Sequence, residues 1–260
     1  MARHQDPNLD LEALLANGQF ETYQSYQHRK VFDKCDHVVS LLGEGGTRAR
    51  LVGVYRVCGR SEPGAVPLPP GFLYPQMDIS RCYYYQLERD PRFDDLAMRV
   101  VVEWGEGTRS WCQWLREREV VEVLPKGYVK EFPGYLDFVL SYREICEIIR
   151  NDQANREWHR SLAAVAGIYL ITDRTTGSQY VGSAYGADGI LGRWRLYAVQ
   201  PHGGNRLLQE LLERDPGRHQ EFEFTVLRTL DKTMSRKEVF DIETLYKRKL
   251  GSRAFGLNAN

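Results

Sequence analysis

The stretch AGIYLITDRTTGSQYVGSAYGADGILGRWRLYAV, Ala166 to Val199, carries two aliphatic, tyrosine and glycine patterns, Gly167-Ile168-Tyr169 and Tyr180-Val181-Gly182, and places Arg193 just beyond them. The runs GIYLITD and SQYVGSA are β-branched and aromatic and flank the turn-rich RTTG, which predicts a β-hairpin. Side chains alternate along a strand, so Tyr169 and Tyr180 can present their hydroxyls to one pocket if the pairing register puts them on one face. ILGRWRLYAV then reads as a helix, on which Arg193 and Tyr197, four residues apart, share a side.

Downstream, NRLLQELLERD predicts a second helix, EFEFTVLRTL a strand and SRKEVFDIETLYKRKLG a long last helix that stops at Gly251. Upstream, Tyr142, Ile145, Ile148 and Ile149 recur at helical spacing, and residues 142–162 are expected to form a helical connector. Residues 23–141 are rich in short strand-like runs, among them HVVSLLG, ARLVGVYRVCG, CYYYQLER and EVVEVLP, punctuated by Gly and Pro. They predict a β-rich, barrel-like domain, a candidate targeting or nucleic-acid-binding module. Residues 1–22 form an opening helix and arm, with Asn8 as N-cap and Gly18 as stop. The expected class is α+β: a small antiparallel sheet with flanking helices over residues 163–260, preceded by the β-rich unit.

The 260 residues carry 35 Lys+Arg against 35 Asp+Glu, so global charge points to no nucleic-acid partner. From residue 161 onward the balance is mildly basic, 14 against 11. Cys35, Cys58, Cys82, Cys112 and Cys146 are odd in number and include no C-x-x-C pair, so they read as buried thiols of a reducing cytoplasm. No run approaches the about 20 apolar residues of a membrane span. Tyr83 to Tyr85, Trp104, Trp111 and Trp114 are candidates either for core packing or for stacking on bases.

The last hundred residues resemble the GIY-YIG endonuclease family. The resemblance rests on the two tripeptides followed in order by Arg193, Tyr197, Glu243 on the last helix and Asn258 in the closing FGLNAN. It implies a metal-dependent DNA endonuclease of restriction or anti-phage defence, located in the cytoplasm. It also implies Glu243 as the ligand of one Mg²⁺ or Mn²⁺, Arg193 on the scissile phosphate and one motif tyrosine, Tyr180 being preferred, as proton acceptor from water. Tyr169 and Tyr197 would position or stabilise, and Asn258 would orient the site by hydrogen bonding.

The residue types suit that chemistry, because phosphodiester hydrolysis needs stabilised charge, an activated water and a stabilised leaving oxygen. A phenol with an ordinary pKa near 10 is a poor base at neutral pH, so Tyr180 would need an activating environment. His202 lies where members of the family carry a functional histidine and is a candidate for catalysis or phosphate contact, while Asn205 reads as the N-cap of the second helix. Arg195, Arg206 and Lys247 are candidate DNA contacts. Ser183 departs from the lysine that many relatives carry, and the glycine-rich YGADGILG lengthens the approach to Arg193. Cleaving both strands would call for two sites and therefore a homodimer. Two other readings remain: a repair or recombination nuclease acting on branched or damaged DNA, and a non-cleaving nucleic-acid-binding protein.

Overall fold

The computed structural model describes residues 1–107 and 110–259 and divides into two units, Met1–Leu124 and Pro125–Asn260. In the first, strands β1 (Ala2–His4), β2 (Tyr26–Gln27), β3 (His37–Gly43), β4 (Arg48–Ser61), β5 (Tyr83–Arg89), β6 (Val100–Glu103) and β7 (Val120–Val123) form one sheet beside helices α1 (Leu11–Ala16) and α2 (Phe20–Ser25).

The barrel-like closure expected for this unit is not formed, and among the described residues no sheet is closed. Closure requires the outer strands to meet in a consistent stagger. Here β1 pairs in parallel with β3, β7 pairs with β6, and the 14-residue β4 branches the sheet. Its start, Arg48–Arg50, pairs with β6 and its end, Tyr55–Ser61, with β5, while β3 lies along the other side. The first helix is capped by Asp10, not Asn8: the Asp10 carboxylate accepts from the Ala13 N–H at 2.8 Å, and the Asn8 N–H donates to Asp6. Trp104 and Tyr85 fill the core, whereas Trp114 is 70% exposed. Only Cys82 and Cys146 of the five unpaired thiols are buried, and Cys58 is exposed, which corrects the expectation of buried cysteines.

In the second unit the sheet order is β10-β9-β11-β8, from β8 (Leu140–Ser141), β9 (Ala166–Asp173), β10 (Gln179–Ala184) and β11 (Phe222–Leu230), all antiparallel. Residues 142–162 hold α3 (Tyr142–Arg150) and most of α4 (Arg156–Ala164). Their Ile145, Ile148, Trp158 and Leu162 enter the same core as Tyr169 and Trp194. This core also takes α5 (Gly189–Val199) and α6 (Arg206–Arg214), on one face of the sheet. The other face, with Ile168 and Val181, buries Val239 of α7 (Arg236–Leu250). No helix among the described residues is long and apolar enough to cross a membrane.

Candidate active site

The hairpin register decides what the two motifs can do. Tyr169 stands opposite Gly182 and Tyr180 opposite Ile171, so both tyrosines lie on the face covered by α5. Ser183 pairs with Ile168 and points to the α7 side. Because β10 is an edge strand, groups from both faces can meet around it. They do so in a cleft of ≈460 Å³ lined by Tyr169, Tyr180 and Arg193 from one side and Ser183 and Glu243 from the other.

Local chemistry fixes the two contributing helices. α5 begins at Gly189 with φ +52°, and a Cβ there would fall 2.1 Å from the Val165 carbonyl oxygen. Glycine therefore lets the helix start against the entry to β9, where the Ile190 N–H donates to the same carbonyl at 3.0 Å. α7 opens with a capping box in which Ser235 and Glu238 satisfy each other's backbone N–H groups, and closes at Gly251 with φ +63°. With both ends fixed, Phe240, Glu243 and Lys247 share one side of the helix.

Arg193, Tyr169, Tyr197, Tyr180 and Asn205 form one hydrogen-bonded cluster. The Arg193 Nε donates to the Tyr169 hydroxyl at 3.0 Å, and that hydroxyl lies 3.0 Å from the Tyr197 hydroxyl. Arg193 Nη2 reaches the Tyr197 hydroxyl at 3.4 Å, and its guanidinium lies 5.0 Å from the centre of that ring. Asn205 joins the rest: its Oδ1 accepts from the Tyr180 hydroxyl at 2.7 Å, while its Nδ2 donates to the Tyr197 hydroxyl at 2.8 Å and to the His202 carbonyl at 2.9 Å. Asn205 does occupy the N-cap position of α6, but its side chain caps no helix N–H.

Burial pushes the phenols of Tyr169, Tyr180 and Tyr197 above the ordinary tyrosine range, with Arg193 pulling the other way and losing. In this arrangement each phenol stays protonated: Tyr180 donates to Asn205, and one of the Tyr169 and Tyr197 hydroxyls donates to the other. Burial also works against the charge of Arg193, yet the surrounding tyrosine oxygens more than offset it and hold the guanidinium firmly cationic.

Across the strand, the Ser183 hydroxyl donates to Glu243 Oε2, and the Lys247 ammonium lies 2.7 Å from Glu243 Oε1. Lys247 is 5% exposed, so it is not part of a solvated run with Arg248 and Lys249, and it faces the carboxylate rather than solvent. Asn258 is buried and clamps β10: its Oδ1 accepts from the Val181 N–H and its Nδ2 donates to the Val181 carbonyl, both at 2.8 Å. His202 accepts the Gly204 N–H on its Nδ1 at 3.0 Å and shapes the loop. Arg195 pairs with Asp188 at 3.7 Å and Arg206 with Glu210 at 3.3 Å, both at the surface.

Sequence reasoning undervalued Asn205 and Ser183. The signal for Asn205 was its place beside two buried phenols that each need a partner, and such a pairing is visible only in space. Among the described residues no three His, Cys, Asp or Glu side chains are grouped so that they could hold a metal ion.

No family model and no curated protein matches the sequence. Solved structures similar to part of the chain include a mutant catalytic domain of intron endonuclease I-TevI, 20% identical over 37% of this chain and 94% of that one, with a TM-score of 0.30. The catalytic domain of homing endonuclease I-TevI is likewise 20% identical, over 36% of this chain and 98% of that one, with a TM-score of 0.31.

Proposed function

We propose that the second unit is a metal-dependent DNA endonuclease that hydrolyses phosphodiester bonds in restriction or defence against foreign DNA in the cytoplasm. The observation that carries this reading is the meeting of Arg193, Tyr169, Tyr180 and Glu243 in one cleft around the edge of β10, with Tyr197 buried behind them. A guanidinium held in place by the Tyr169 and Tyr197 hydroxyls that accept from it is suited to a phosphate, whose negative charge grows during displacement.

The Glu243 carboxylate and the Ser183 hydroxyl would offer oxygen atoms to one hard cation, Mg²⁺ or Mn²⁺, once Lys247 gives up its hold on the carboxylate. Bound there, the ion supplies Lewis acidity and a lowered pKa for water. Arg193 holds the scissile phosphate, and the Tyr169 and Tyr197 hydroxyls fix the guanidinium by accepting from its Nε and Nη2. Tyr180 donates to Asn205 in the free protein, so taking a proton from water requires that its phenol first become more acidic beside added positive charge. Asn258 holds the strand that carries Tyr180.

The ion pair between Lys247 and Glu243 favours one alternative, a protein that binds nucleic acid without cutting it, because the carboxylate is already neutralised by its own helix. Incubation with supercoiled plasmid and Mg²⁺, beside Glu243→Ala and Arg193→Ala, separates the two. Nicking by the native protein alone, abolished by chelation, is the expected result; equal nicking by all three proteins overturns the site. Linearisation that rises with the square of protein concentration would show that two copies act together.

A further inference from the structure

α7 presents more than its carboxylate to the cleft. Arg236, Phe240, Glu243 and Lys247 recur at helical spacing, and Phe240 lines the cleft beside Glu243. Facing it is Tyr185, the first residue beyond β10, with ring centres 5.6 Å apart at 83°. The Arg236 guanidinium lies 5.0 Å from the Phe240 ring centre and 5.7 Å from that of Tyr185. These two rings are 39% and 43% exposed, while Trp158, Trp194, Phe222 and Phe224 of the same unit are buried. Leu196 of α5 adds apolar surface to the same cleft.

A scattered exposed ring needs no explanation. An edge-to-face pair held under a guanidinium, in the cleft that carries Arg193 and Glu243, is a different arrangement. It offers a π-face and a cation beside a phosphate site, the combination that binds a base and its backbone together. Inside a duplex both faces of a base are covered by its neighbours, so a base can reach such a platform only from a single strand or after leaving the stack.

We propose that Tyr185 and Phe240, braced by Arg236, form a stacking subsite for one unpaired nucleobase adjacent to the phosphate held at Arg193. This rests on the phosphate-binding reading above and narrows its substrate to strands with an unpaired nucleotide at the cut: a single strand, a bulge, a junction or a flipped base.

The test walks an abasic nucleotide through a labelled oligonucleotide around the cleaved bond. With the native protein, one position lowers kcat/KM by about tenfold when its base is removed. The Tyr185→Ala/Phe240→Ala variant cleaves every substrate at that lower level without regard to the abasic site, and Phe240→Trp regains the discrimination. Equal cleavage of all abasic substrates by the native protein overturns the subsite.

A second arm needs no turnover. Glu243→Gln protein is titrated into oligonucleotides carrying 2-aminopurine at each position, and its fluorescence is quenched on binding at one position only, an effect lost when Tyr185 and Phe240 are also alanine. Binding without position-specific quenching overturns the subsite as well, and failure to bind any strand overturns both proposals. Quenching without cleavage by the native protein keeps the subsite and removes the nuclease reading; cleavage without discrimination does the reverse.

Discussion

The phenolic oxygen of Tyr169 lies 2.3 Å from the position that a Cβ on Gly182 would occupy. The two residues are direct cross-strand partners, so the absence of a side chain at Gly182 is what lets the Tyr169 ring lie flat across β10 and deliver its hydroxyl to Arg193. Gly182→Ala should displace a fully buried ring, at a cost of about 1–3 kcal/mol from overpacking. The misplaced hydroxyl should lower cleavage by roughly 100-fold. Denaturant unfolding and nicking rates measure the two effects separately, and a variant with native nicking would mean that the Tyr169 position is not required.

Asn205→Ala should act on the same cluster from the opposite side. It removes the acceptor for Tyr180 and the donor to Tyr197, leaving buried hydroxyls short of partners at about 1–3 kcal/mol. The expected kinetic signature is a fall in kcat with KM little changed, because Asn205 orients groups rather than holding substrate. Asn205→Asp keeps the acceptor and should recover part of the loss.

The buried phenols set an alkaline limit. Folding raises the pKa of Tyr169, Tyr180 and Tyr197, so the folded state keeps protons that the unfolded chain releases near pH 10. Stability from this source is complete below pH 10 and lost as pH rises through the folded values. Absorbance at 295 nm should therefore show these three ionising together with unfolding, and Tyr180→Phe should lessen the alkaline loss. In the free protein none of these three should titrate near neutrality.

The first unit has the opposite sensitivity. His4 is buried among Phe20, Tyr23 and Trp111, its Nε2 has no hydrogen-bond partner among the described residues, and burial lowers its pKa from 6.5 to about 4. The unfolded chain takes up the proton first as pH falls, so stability present above pH 6.5 drains away toward pH 4, by roughly 3 kcal/mol in all. Urea midpoints at pH 7 and pH 5 should differ for the native protein and converge in His4→Phe.

The hairpin, its turn and the shared side of Arg193 and Tyr197 were legible because strand and helix periods are local properties of the chain. So was the succession of helices and strand up to Gly251. The topology of the first unit was not: nothing local announces that Ala2–His4 pairs in parallel with Ser40–Leu42, or that one long strand takes different neighbours along its length. The partner of Lys247 was hidden for a related reason: the sequence offers it as a DNA contact, and only the rotation of α7 against the sheet turns its cation onto Glu243. Asn205 stood at a cap position, and the cap reading hid the three-way junction that its amide makes with residues 25, 12 and 8 positions away.

The clamp of Asn258 on Val181 bears on how a second copy could join. Together with the Leu257 N–H on the Gln179 carbonyl at 2.7 Å, the tail takes up outward backbone groups of β10 and stands in for the missing neighbour strand. An edge so occupied offers no template for sheet extension at those residues. Two molecules acting on opposite strands would have to meet through some other surface or arrive one after the other, and trimming the tail would reopen the edge to unintended partners.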